Sequence, residues 1–475
     1  MQKMLDNSTL TDQKPIQNRL PALREAHLAG SFQRLHELAE AMWASELYAP
    51  CLVALTALPL FTGAPLQGCA LLALFFSFMT AFCSDVLSLL LPFLLFCLLS
   101  THFYQDYSVL LAQWPLFALA AAAFGLHCFL YPAPRRGGEM TKPLLAVSAA
   151  ILLGGLGSIS AREYFAPVSL YYVLGLGPGM LAVYVFARSQ LGRRRSYNVL
   201  ARFLGMLYYA GVFTGFVVLE VYLEHMPAFL RSFTVPYFSY RNFCATILLT
   251  ALPAALLPAD GGKARWGGLA FLYASLLFTG SRSGLLFGTL LLAACLVWFY
   301  RRHPESRRRF RRWAAAVGIP ALALLAFAVP TLFASRMEDG SLISAKDSRV
   351  TFFVQGIRDF LSSPVFGKGL GYMGNSRIFI GVSGSMVWYH NLAAQILGSL
   401  GLVGAAAYGW LYFTRARLLL TRRGGEVPVA ALAAAGMLLV SMTNPGEFCP
   451  LPNELIMAAL FAVVESLPKK PARAC

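Results

Sequence analysis

Long apolar runs fill most of the chain, broken by short clusters of proline, glycine and charge. A helix crosses a bilayer with roughly 20 mainly apolar residues. The runs predict about fourteen spans: 48–63, 66–82, 86–103, 109–131, 143–160, 169–187, 199–223, 241–257, 266–279, 283–300, 313–333, 390–414, 427–444 and 453–467. The first two are short and also suit one helical hairpin that does not fully cross. Residues 1–47 are polar and mixed in charge, and Leu20 to Met42 reads as an amphipathic helix.

One connection differs from the others. Residues 334–389 make a loop of about 56 residues, a length that is usually functional or disordered. Val350, Phe353, Ile357 and Phe360 lie on one face of a helix. Asp347 or Ser348 caps its start, and Ser362-Ser363-Pro364 stops it. Such a helix is expected on the membrane surface, apolar face down. Gly367, Gly369, Gly371 and Gly374 follow, and suit tight turns or close approach of backbone to a ligand.

Composition agrees with the pattern. Of 475 residues, 57% are hydrophobic and 13% charged, which leaves little room for a separate soluble domain. The expected fold is all-α, a polytopic transmembrane bundle of about 12–14 spans. It divides into a cytoplasmic segment 1–47, spans 1–11 within 48–333, the long loop 334–389, spans 12–14 within 390–467, and a tail 468–475. No cleavable signal peptide is evident. The nine cysteines lie mostly inside apolar runs and form no CxxC pair, so they read as small buried apolar residues.

The formal charge of +17 would suggest a nucleic-acid partner in a soluble protein. Here the basic residues sit between apolar runs, and no aromatic-basic stacking surface is visible, so no nucleic-acid partner is expected. Their distribution instead sets a frame. With the N-terminus inside and alternation thereafter, most of the 39 Lys and Arg fall on one side. Arg301, Arg302, Arg307, Arg308, Arg309, Arg311 and Arg312 anchor that side. The positive-inside rule makes it cytoplasmic, which puts both termini inside and the long loop outside.

The frame gathers the candidate chemistry on the outer face. Arg282 lies in Thr279-Gly280-Ser281-Arg282-Ser283-Gly284, between spans 9 and 10. An arginine there is either an interfacial anchor or an anion clamp, since guanidinium pairs with phosphate through two parallel bonds. Arg349 opens the loop helix and is a second phosphate contact or a surface ion pair. His390, where the loop enters span 12, can exchange a proton near neutral pH, or is a hydrogen-bonded helix end. Weaker candidates are Ser281, Tyr389 and Asn391 beside these residues, Arg241 and Asn242 at the start of span 8, Glu447 in the turn after span 13, and Glu220 near the end of span 7. No His, Cys or carboxylate lies at ligand spacing from His390, so no metal is expected there.

Thr279-Gly280-Ser281-Arg282-Ser283-Gly284-Leu285-Leu286 carries a resemblance to a known family, together with Ser348-Arg349, Gly356-Ile357-Arg358-Asp359-Phe360, Pro364 to Gly371, His390-Asn391 and Gly401-Leu402-Val403-Gly404. In order and spacing this series resembles the O-antigen ligase and polymerase superfamily, over roughly residues 200–420. Tyr240-Arg241-Asn242 resembles the entry to a helix in that family. The resemblance implies a metal-independent, GT-C-like membrane glycosyltransferase without a cofactor. Its implied donor is a glycan on an undecaprenyl diphosphate carrier. Its implied acceptor is lipid A core, another carrier-linked glycan or another hydroxyl, at the outer face of the cytoplasmic membrane. Arg282 and Arg349 match the family's functional arginines, and His390 its histidine. The family is usually given about twelve spans, fewer than the run count here. Ligase and polymerase are both open on the sequence, and a lipid-linked glycan flippase is the rival from another class. Few deep charges, Arg202 chief among them, favour the enzyme.

Overall fold

The structure is a computed structural model that describes residues 28–103, 106–159, 169–191, 195–232, 236–257, 263–304, 307–313, 326, 348–370 and 388–470. These residues are helical, and no strand occurs among them beyond one bridge between Arg422 and Lys469. The chain divides into two units, Met1–Pro134 and Arg135–Cys475.

In the first unit, α1 (Leu28–Ala44) is bent by 96° from α2 (Tyr48–Phe61). α3 (Pro65–Phe82), α4 (Leu90–Leu99) and α5 (Trp114–Leu130) follow. Pro65 suits the start of α3, where its missing N–H is no loss. α1 is tied to the turn after α3 by polar bonds: Glu40 accepts from Ser84 N and Oγ at 2.7 and 2.6 Å, and His36 Nδ1 meets Phe82 O at 2.7 Å. Leu55, Leu58 and Leu71 point outward, as a lipid-facing surface requires. α2, at 14 residues, is about 21 Å long and short of the hydrocarbon core.

The second unit contains α6 (Thr141–Ile159), α7 (Met180–Leu191), α8 (Val199–Glu224), α9 (Arg241–Ala251), α10 (Lys263–Phe278), α11 (Arg282–Arg302), α12 (Ser348–Ser362), α13 (Leu392–Thr421), α14 (Val427–Ser441) and α15 (Leu455–Ser466). Every predicted span with described residues throughout is helical, and 313–333 lies largely outside the described residues. Among the described residues six helical segments are each long and apolar enough to cross: 65–82, 86–103, 170–191, 199–224, 282–302 and 392–421; a seventh is reached if α1 and α2 count as one bent span. Among the described residues, helix length alone thus counts fewer than the apolar runs do, while several predicted spans form shorter apolar helices. Hydropathy reads apolar content, whereas proline and glycine cut several runs into shorter helices. Pro253, for example, turns the end of 241–257 into a 3-10 segment, Leu252–Leu256.

Two features of this unit position the site. Helix α13 is broken at Gly401, where φ is +63° and ψ −154°, a conformation essentially reserved for glycine. In an unbroken helix Leu402 N and Val403 N would donate to Gly398 O and Ser399 O. Instead they donate to Pro364 O and Val365 O at 2.8 and 3.1 Å, while Lys368 N and Gly369 N donate to Gly398 O and Ser399 O, both at 2.8 Å. The segment after α12 therefore inserts into the break and satisfies it. The predicted close approach at Gly367 is to this helix backbone: a Cβ there would lie 2.3 Å from Ser399 C. Gly371 and Gly374 lie outside the described residues.

The second feature is a cluster around Glu139. Its carboxylate pairs with Arg417, Arg422 and Lys469 at 2.6, 2.7 and 3.1 Å. Segments 132–142, 415–426 and 468–475, which the charge frame assigned to one side, meet there. Arg415 departs from that assignment. It is buried and pairs with Glu447 and Glu454 at 2.8 and 2.5 Å, because the stretch from Gly446 to Glu454 folds back along α13.

Gly401→Ala should destabilise the protein by at least about 2 kcal/mol, from the left-handed φ and a Cβ only 2.5 Å from Val365 O. Gly409→Ala on the same helix meets nothing within 4 Å and should leave stability unchanged. Thermal unfolding midpoints of the two variants in one detergent check this.

Candidate functional site

The turn before α11 is set by Gly280, at φ +63°, and by Ser281, whose Oγ caps the helix by accepting from Gly284 N at 3.2 Å. Arg282 is thereby the first helical residue and is exposed, while Ser281 and Ser283 on either side are buried. A helix N-terminus carries partial positive charge, so Arg282 adds a full charge where anions are already favoured.

A directional chain of hydrogen bonds runs through the buried serines. Ser281 Oγ donates to Asn242 Oδ1 at 2.9 Å. With its proton so placed, Ser281 accepts from Ser283 Oγ at 3.1 Å. Ser283 in turn accepts from Asn444 Nδ2 at 3.0 Å, and Asn444 Oδ1 accepts from Arg349 NH2 at 3.3 Å. The order is Arg349, Asn444, Ser283, Ser281, Asn242, with each donor proton used once. This chain joins the starts of α9, α11 and α12 to the end of α14.

His390 is held from two sides. Its ring stacks on Phe352, one turn beyond Arg349 on α12, with centroids 5.5 Å apart and planes at 25°. It also borders a crevice, too small for a water, with Asn391, Gln395, Asn444 and Phe448. His390 has φ +53° and is the one non-glycine residue in the left-handed region among the described residues. Such strain persists only where the surroundings impose it. The neighbours supply that: Tyr389 N donates to Gln395 Oε1 at 3.0 Å, and Asn391 caps α13 by accepting from Ala394 N at 3.1 Å. Asn391 Nδ2 also donates to Met442 O at 3.0 Å.

The loop helix docks through its polar face. Tyr389 OH donates to Asp359 Oδ2 at 2.7 Å and Gln355 Nε2 to Asp359 Oδ1 at 2.9 Å. Gly356 and Gly398 allow this approach, since a Cβ on either would press on the Tyr389 ring. Of the apolar face named from the sequence, Val350 and Phe353 are exposed, together with Val354 and Leu361, whereas Ile357 and Phe360 are half-buried. Burial raises the Asp359 pKa from its ordinary value, opposed by the bonds from Tyr389 and Gln355 and by Lys368.

Residues 267–409 match the model of the family described as O-antigen ligase. The match covers less than half of the chain and marks what this segment is similar to. No curated protein and no solved structure matches the chain. The matched residues include Ser281, Arg282, Ser283, Arg349, Asp359, Tyr389, His390 and Asn391; Arg241, Asn242, Asn444 and Glu447 lie outside them. The match supports the resemblance to the O-antigen ligase and polymerase superfamily, and the long apolar helices fit a multi-pass helical membrane protein.

The other sequence candidates stand at differing distance from this assembly. Asn242 ends the chain of bonds, whereas Arg241 lies over the Tyr237 ring at 4.7 Å. Glu447 is an interior ion partner: Tyr412 OH and Arg415 reach its Oε2 at 2.9 and 2.8 Å. Glu220 is buried on α8. Ser283, Asn444, Gln355 and Asp359 are contributors that sequence reasoning did not single out. Ser283 and Asp359 sit inside the quoted motifs, and Asn444 was a polar residue ending an apolar run. Among the described residues no group of three His, Cys, Asp or Glu is placed to hold a metal.

A carboxyl whose pKa is raised on folding adds stability below its unfolded value and loses it as pH rises through the folded value. Asp359→Asn keeps a hydrogen-bonding side chain and removes the buried charge. Its unfolding midpoint relative to the parent should therefore rise as pH climbs from the acid range to neutrality. A gap that shrinks over that range would contradict the burial argument.

Proposed function

We propose that the protein transfers a glycan from an undecaprenyl diphosphate carrier to a hydroxyl acceptor at the outer face of the cytoplasmic membrane, as an O-antigen ligase. The observation that carries this reading is the bonded chain from Arg349 to Asn242, which fixes one arginine against the helix N-terminus that begins at Arg282. Two guanidinium groups and a helix dipole suit a leaving diphosphate. His390, held by the helix that bears Arg349, suits the acceptor hydroxyl.

In the proposed step the acceptor oxygen bonds to the anomeric carbon as the bond from that carbon to the diphosphate oxygen breaks. The electron pair leaves with the diphosphate, where Arg282 and Arg349 meet the growing charge. Such a donor contributes about 3–4 kcal/mol when well placed. His390 takes the hydroxyl proton, or orients the acceptor. General base catalysis typically adds ~10²–10⁴-fold. A single displacement inverts the anomeric centre. α12, docked on α13 by its polar face and free on its apolar one, limits water that would hydrolyse the donor.

Sidedness rests on the charge frame, with the Glu139 cluster drawing three of its cytoplasmic segments together. Joining of carrier-linked repeat units, a polymerase reaction, uses the same donor chemistry with another acceptor. A flippase reading would look to the buried charges. Arg415, Glu447 and Glu454 are more numerous than the sequence reading allowed, and both carboxylates are engaged by the one guanidinium.

Arg282→Lys and Arg349→Lys should each lower transfer by about 10²-fold, since an ammonium lacks the guanidinium fork. His390→Ala should cost ~10²–10⁴-fold. Asn444→Ala should act through Arg349, so that adding it to Arg349→Ala lowers the rate little further. Full transfer by Arg282→Ala with a purified lipid-linked donor would overturn the clamp, and normal turnover by His390→Ala would remove the base.

A further inference from the structure

A cavity of about 660 Å³ opens at the opposite end of the second unit from the serine turn, where α11 and α13 finish and α14 begins. Its rim carries Arg302 from the end of α11, Arg422 and Arg423 after α13, and Lys470 from the C-terminal segment. Leu419 and Ala431 contribute apolar lining. No acidic residue lines it. Glu139 neutralises Arg422 at 2.7 Å, and Glu426 lies beside Gly424 next to the rim. Arg302 and Arg423 are exposed, and Lys470 Nζ uses one proton on Leu420 O at 2.7 Å. Three elements brought together from distant sequence thus present cationic groups over an apolar lining. Backbone bonds hold the arrangement: Arg423 N donates to Pro468 O at 2.9 Å and Lys470 N to Thr421 O at 2.8 Å.

α11 and α13 are each long and apolar enough to cross a bilayer, so their shared end lies at headgroup level. The positive-inside frame makes that level cytoplasmic. We propose that this cavity binds the phosphate headgroup of an anionic phospholipid, with Arg302, Arg423 and Lys470 on the phosphate and the first part of an acyl chain against Leu419 and Ala431. A soluble anion would gain nothing from the apolar part, whereas a lipid uses both. The site is separate from the proposed transfer site and does not rest on that reading.

The test is native mass spectrometry of the full chain in detergent, titrated with phosphatidylglycerol or with phosphatidylcholine of the same acyl chains. The parent should prefer phosphatidylglycerol. Arg302→Gln combined with Arg423→Gln should weaken that binding about tenfold, and Lys470→Gln alone should weaken it to a lesser degree. Arg301→Gln with Arg308→Gln removes the same charge from exposed residues that do not line the cavity, and should leave binding nearly unchanged. Equal melting of all variants in zwitterionic micelles verifies folding. Equal loss in both double variants, no headgroup preference, or full displacement of the lipid by inorganic phosphate would overturn the proposal.

Discussion

The break in α13 at Gly401 is the constraint from which the candidate site follows. A helix that breaks inside a low-dielectric protein exposes N–H and C=O groups that cost several kcal/mol if left unpaired. The segment from Pro364 to Gly369 supplies the missing partners through four backbone bonds. Because Gly367 and Gly401 have no side chains, the two backbones approach to a distance that any Cβ would block. Fixing that segment fixes α12, which precedes it, and α12 carries both Arg349 and the Phe352 ring that stacks on His390. Gly367 in the long loop therefore serves this close backbone approach.

Polar groups in the second unit are arranged as closed circuits. At one end the chain from Arg349 to Asn242 satisfies two buried serines and two asparagines in sequence. Asn444 is its pivot, since it bonds Arg349 on one side, Ser283 on the other, and borders the crevice beside His390. Deeper in, the single Arg415 guanidinium pairs with both Glu447 and Glu454. Around Glu139 three basic residues converge and tie together segments far apart in sequence. Arg282 differs in kind from these: it stands exposed at a helix N-terminus, with the polar circuit directly behind it.

Much of this was legible in the sequence. The apolar runs marked the helices, and the spacing of Val350, Phe353 and Ile357 placed α12, whose end at Ser362 matches the stop residues read for it. The motif order also led to the family whose model matches residues 267–409. What failed to show was three-dimensional. Hydropathy cannot tell one long helix from a helix cut by proline, so several apolar runs are helices shorter than a full span. Arg415 looked like a loop residue because it follows an apolar run, and only the fold-back of 446–454 reveals its acidic partners. Asn444 gave no signal by itself, because its role depends on Ser283, 161 residues away.

The central claim is glycosyl transfer by this site rather than movement of a lipid-linked glycan. The most direct measurement uses the purified protein in detergent with a diphosphate carrier-linked glycan and a hydroxyl acceptor, followed by NMR of the product. The account predicts a new glycoside, inverted at the anomeric carbon, together with free carrier diphosphate. Recovery of donor and acceptor unchanged, with the same preparation moving the donor between leaflets of a vesicle, would contradict it.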